Sequence, residues 1–169
     1  MLTLEDMLIR FAVAIVLGGV IGLERECAGK EAGLRTDITV AAGAALFSIA
    51  GVTLPYLIAL SPENLADTIA RNSGFLTIIA NIVVGIGFLG AGIIVKQEMR
   101  VRGLTTAGTV WFAAAIGVLS GIGLLTLAGF ATAGLTTILF ILRKINFQKL
   151  GAISIAGKRE EPMDERAEG

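Results

Sequence analysis

Histidine is absent from the 169 residues, and cysteine occurs once, as Cys27. Those two facts exclude an intrachain disulfide and a transition-metal centre built on imidazoles or several thiolates. Any metal would need oxygen ligands, and no metal or other cofactor site is expected. Charged residues are scarce, at 17% of the chain, where a soluble domain has about 25%. The 14 lysines and arginines balance 14 aspartates and glutamates, so no excess of positive charge points to nucleic acid. No Ser–His or paired-Asp arrangement lies within the apolar runs, and the chain is not expected to be an enzyme. Glu5 and Asp6 stand where a signal peptide carries its basic region, and no small-residue cleavage site stands out. The first apolar run therefore reads as a retained membrane anchor.

What is abundant is apolar sequence: 54% of residues are hydrophobic, and the mean hydropathy is +0.81. The run 7–23 would make about 26 Å of helix, just enough for a span. A second run, 38–60, has Thr36 as a candidate N-cap and Asp37 in its first turn. It kinks at Pro55 or ends near Leu54, because proline removes a backbone donor. Ser61-Pro62-Glu63 reads as the start of a short amphipathic surface helix over residues 62–71. A third run, 74–95, holds Gly85, Gly87, Gly90 and Gly92. It matches G-x-G-x-x-G formally, but no βαβ unit surrounds it, so a dinucleotide site is rejected. The glycines mean either close helix approach or a locally broken helix lining a cavity. Asn81 is the strongly polar residue of that run, as an interhelical hydrogen bond or part of a transport site.

Residues 104–142 contain no charge at all. One helix of that length would be about 58 Å, nearly twice the hydrocarbon thickness. The chain must fold back, and Ser120-Gly121-Ile122-Gly123 is the best turn, giving spans 104–120 and 124–142. Thr105 and Thr106 are placed to satisfy orphan backbone donors where the fourth helix starts, and Trp111 is read as packing. Residues 143–169 form a polar tail, expected to be disordered. The fold class is thus an all-α membrane protein of about five transmembrane helices, with residues 1–142 as its membrane domain. One side then receives all 14 basic residues except Arg10 and Arg71. By the positive-inside rule that side is cytoplasmic, so the N-terminus lies outside and the C-terminus inside.

Between the first two spans, residues 22–37 carry Glu24, Arg25, Glu26, Lys30, Glu31, Arg35 and Asp37. Each such charge costs roughly 2.5–3.5 kcal/mol to place unpaired in hydrocarbon, so this stretch must meet water or a protein-lined cavity. Glu24, Arg25, Arg35 and Asp37 each lie within two residues of a span end, where a side chain can reach back among the helices. With Thr105 and Thr106 they form the candidate cytoplasm-facing binding cluster. Lys30 and Glu31 should be solvated. Gly18, Gly22, Gly117 and Gly121 sit at i,i+4 spacings that allow backbone approach within or between subunits, and a homo-oligomer, most simply a dimer, is expected.

Four stretches together resemble the MgtC/SapB family: Ile21-Gly22-Leu23-Glu24-Arg25-Glu26; Ala32-Gly33-Leu34-Arg35-Thr36; residues 85–92; and Gly103-Leu104-Thr105-Thr106-Ala107 with Trp111 and residues 113–117. The resemblance covers about residues 7–142. It implies a cell inner-membrane protein of about five helices, linked to magnesium limitation and to bacterial survival inside host cells. One family member is described as restraining the proton-driven ATP synthase. The family usually places an arginine and a glutamine where Thr77 and Asn81 stand here, so no role of that arginine carries over. Many members add a cytoplasmic ACT-like domain; this chain stops too early for one and is expected to be a short form. Two functions follow: a small ion or solute transporter linked to magnesium homeostasis, or a non-transporting regulator that binds another membrane complex such as the ATP synthase.

Overall fold

The computed structural model describes residues 2–58, 74–97 and 100–144. The chain divides into two compact units, 1–136 and 137–169; of the second, the described part is the end of the last helix. The surface helix expected over 62–71 and the tail beyond residue 144 lie outside the described residues.

Among the described residues, five helices are long and apolar enough to cross a membrane. They are α1 (Leu4–Cys27), α2 (Leu34–Ile58), α3 (Gly74–Ile93), α4 (Leu104–Ile122) and α5 (Leu125–Lys144). The connection before α4 is a short antiparallel ladder, β1 (Val95–Gln97) with β2 (Arg100–Arg102), pairing Val95 with Arg102.

The helix ends follow from local chemistry. Thr3 caps α1 in a reciprocal box with Asp6: the Asp6 N–H donates to the Thr3 hydroxyl at 3.1 Å, and the Thr3 N–H donates back to the Asp6 carboxylate. α1 does not stop at Leu23 but continues to Cys27, taking Glu24 and Arg25 into its last turn. α2 starts at Leu34, so Thr36 is inside the first turn rather than its N-cap. The cap is supplied by Glu26, whose Oε2 accepts the Leu34 N–H at 2.9 Å. Pro55 lies inside α2, which runs through it to Ile58. α4 starts after Gly103, in the left-handed conformation at φ 84°, with no side-chain cap; Thr105 and Thr106 are within the helix and do not cap it. It ends at Gly123, φ 94°, whose N–H donates to the carbonyls of Leu119 and Ser120. Only Gly123 and Leu124 separate α4 from α5, so the uncharged stretch breaks at the expected place.

Small residues set the packing. α2 lies against α1 and α4, and α4 also against α3. A Cβ on Gly18 would sit 2.7 Å from the Ala41 Cβ, and one on Gly22 would sit 2.6 Å from the Leu34 Cα. A Cβ on Gly117 would come within 2.2 Å of the Ala41 carbonyl oxygen, and one on Gly121 within 2.6 Å of the Ser48 Cβ. α2 is thus clamped between two glycine faces of its own chain through Ala41, Ala44, Ala45 and Ser48. These four glycines are consumed inside one subunit, which removes them as the reason to expect an oligomer. The core they close holds Ile21, Ala113, Ile116 and Ala128.

α4 is the central helix, more than half of it buried; α3 is peripheral, with almost none of its span buried. α3 is also continuous, so the glycine run does not break it. A Cβ on Gly85, Gly87 or Gly92 would meet nothing within 4 Å, and one on Gly90 would meet only Ala107. Such a helix leaves its apolar side chains, Phe88 at 84% exposure among them, for lipid or another protein.

Candidate functional site

Three ionic side chains converge where α1 ends and α2 begins. α1 delivers Glu24 and Arg25 from its last turn; α2 delivers Asp37 from its first. The Arg25 guanidinium donates through Nε and Nη2 to Glu24 Oε2, and the pair is sunk in protein with side chains 4% and 7% exposed. Asp37 is 0% exposed, and Arg25 is the charged group that acts on it electrostatically. Both Asp37 carboxylate oxygens and Glu24 Oε1 are buried with no hydrogen-bond partner among the described residues. Gly18 allows this geometry. It brings the α1 backbone against the α2 turn at Asp37, where a Cβ would sit 2.8 Å from the Asp37 carbonyl oxygen.

The other expected residues sit elsewhere. Arg35 is exposed and lines a polar recess of about 410 Å³ with Glu26, Lys30, Glu31, Gly33 and Thr36. Residues i and i+2 of a helix do not share a face, so Arg35 and Asp37 diverge. Lys30 and Glu31 are exposed. On α4, Thr105 is exposed and Thr106 buried, its carbonyl accepting the Thr109 hydroxyl at 2.9 Å. Asn81 is exposed and lines an apolar groove of about 550 Å³ between α2 and α3, with Thr39 and Phe47 across from it. Gly85 lines the same groove; Gly87 and Gly92 are exposed and Gly90 buried. The glycine run and the ionic trio are thus not brought together by any described contact. Among the described residues, no group of three or more His, Cys, Asp or Glu side chains could hold a metal ion.

Two polar residues with structural work escaped the sequence reading. Glu26 caps α2, although it looks like one more loop charge. Arg10, inside the first apolar run, donates from Nη1 to the Gly121 carbonyl at 3.0 Å. It places a cation at the C-terminal end of α4, where the helix dipole is negative. The available signal was the arginine itself, since a charge within an apolar span needs a partner.

Five membrane-length apolar helices carrying a buried ionic trio define a multi-pass membrane protein. Residues 11–147 match the profile of the MgtC family. The chain is 42% identical over 134 residues to Protein MgtC of Brucella abortus (strain 2308), covering 79% of this chain and 50% of that protein. It is 39% identical over 154 residues to Protein MgtC of Salmonella typhimurium (strain 14028s), covering 91% of this chain and 59% of that one. The chain belongs to the MgtC family, and it spans between half and three fifths of the length of these relatives. No solved structure matches it.

Proposed function

We propose that this chain is a small carrier for an ion or small charged solute, with Glu24, Arg25 and Asp37 as its binding site. The observation that supports this is Asp37. A carboxylate kept only for architecture would be paired, as Glu24 Oε2 is paired with Arg25. Asp37 is fully buried and neither oxygen has a partner among the described residues. A buried carboxylate left so is costly to fold around, and a ligand that completes it gives that cost a purpose. The recess lined by Arg35 is the aqueous approach, and Thr105 and Thr106 sit on the same side of the membrane as the trio. In this reading the protein lies in the cell inner membrane with its N-terminus outside, and its role bears on magnesium homeostasis. The test is flux of candidate ions into liposomes containing only this protein. Saturable uptake supports the carrier; permeability equal to that of empty liposomes across an ion panel removes it.

One observation favours a second reading, a regulator docked on another membrane complex such as the ATP synthase. α3 is barely packed, and Gly85, Gly87 and Gly92 leave its backbone approachable. The same open face can serve a homodimer, which light scattering in mild detergent would detect. If the regulator reading holds, adding the purified protein to vesicles slows proton-driven ATP synthesis while liposome flux stays at background.

A further inference from the structure

Resting on the reading of the trio as the binding site, we infer that its ligand is a single proton, taken up on the Asp37 carboxylate. The argument starts from where the positive charge goes. Arg25 directs Nε and Nη2 to one oxygen, Glu24 Oε2. Three acidic oxygens, Glu24 Oε1 and both of Asp37, remain buried and without hydrogen-bond partners among the described residues. Two carboxylates and one guanidinium leave the trio with one negative charge in excess.

Among the described residues, nothing packed around it supplies the missing charge. Glu24 and Arg25 are the ionic groups that α1 brings to the trio. The segments of α3 and α4 contain no charged residue. On α2 itself, Arg35 is exposed and on a different face. Neutrality must come from outside the described residues.

The donor set selects among cations. Calcium takes six to eight oxygens, and magnesium wants a near-octahedral shell. Two carboxylates beside an arginine offer neither the ligand number nor the charge for a divalent ion, and no larger acidic group is available among the described residues. A proton needs one oxygen and one negative charge, which is what the trio has to spare. Uptake forms one O–H bond on an Asp37 oxygen and brings the trio to neutrality. Release breaks that bond and returns the proton to water.

Infrared difference spectroscopy on the purified full chain tests this, with pH stepped in choline buffer and then with sodium, potassium or magnesium added at fixed pH. The expected result is a protonated-carboxyl band that disappears on raising the pH. It is lost in Asp37→Asn, kept but displaced in frequency in Asp37→Glu, and indifferent to the metal ions. A wild-type spectrum without the band, a band that survives Asp37→Asn, or one that is unmoved in Asp37→Glu overturns the assignment. A band abolished by sodium, potassium or magnesium at fixed pH overturns it too and makes a metal cation the occupant. The band without liposome flux would sink the carrier reading and leave this one standing; flux without the band would do the reverse.

Discussion

Substituting alanine at Gly117 and at Gly85 makes the same chemical change in two opposite settings. Both residues lie inside membrane-length helices, and alanine is intrinsically favoured over glycine there by up to about 1 kcal/mol. At Gly85 nothing lies within 4 Å of the added methyl group, so Gly85→Ala should be neutral or slightly stabilising. At Gly117 the methyl carbon would stand 2.2 Å from the Ala41 carbonyl oxygen and 2.9 Å from the Ala44 Cβ. Ordinary contact begins near 3.4 Å, so α2 and α4 must separate by about 1 Å, because the obstacle is backbone and cannot rotate away. A gap of that size forfeits roughly a quarter to a half of each dispersion contact it opens. It would open them along Val110, Ala113 and Ile116, which are at most 1% exposed. Overpacking of this kind costs about 1–3 kcal/mol, which outweighs the propensity gain. The assay is thermal unfolding in a single mild detergent, followed by circular dichroism. Gly117→Ala should melt well below wild type and Gly85→Ala at or slightly above it. Equal melting of the two would refute the claim that α2 is clamped by glycine faces of its own chain.

Other outcomes follow from the polar contacts. Glu24→Gln removes the carboxylate that the buried Arg25 grips and leaves Asp37 as the remaining acid beside it, so it should lower the melting temperature, whereas Lys30→Gln, Glu31→Gln and Arg35→Gln, all exposed, should melt like wild type. Arg10→Gln removes a charged hydrogen bond to the end of α4 and should lower stability by about 1.5–3 kcal/mol in the same melts. Glu26→Ala removes the cap of α2, expected to cost on the order of 1 kcal/mol. Cys27 is exposed and should react with a membrane-impermeant maleimide only in inverted vesicles or lysed cells; labelling in intact cells with a permeabilised outer membrane would reverse the proposed orientation.

The helices were legible because length and hydropathy decide them. An uncharged run of 39 residues cannot cross once, and Gly123 marks its break. Helix ends were misjudged where charge and helix coexist. Glu24 and Arg25 looked like loop because unpaired charges are penalised beside an apolar run, but paired with each other they stay in α1. Asp37 and Arg35 were grouped by nearness in sequence, and helical periodicity separates them. The glycines show the sharpest limit. Gly117 and Gly85 look alike in the sequence, and only the third dimension shows that one faces the Ala41 carbonyl and the other nothing. Three-residue strands such as Val95–Gln97 carry too little pattern to be read at all.

The central claim is that Asp37 is kept for function and not for architecture, and Asp37→Asn tests it most directly. The change preserves shape, removes the charge and breaks no hydrogen bond of the side chain, since the carboxylate makes none among the described residues. The measurement is initial-rate flux in liposomes beside the melting temperature of the same preparation. The account predicts flux lost with melting unchanged or raised. Wild-type flux, or a loss of flux that merely tracks a lower melting temperature, would contradict it.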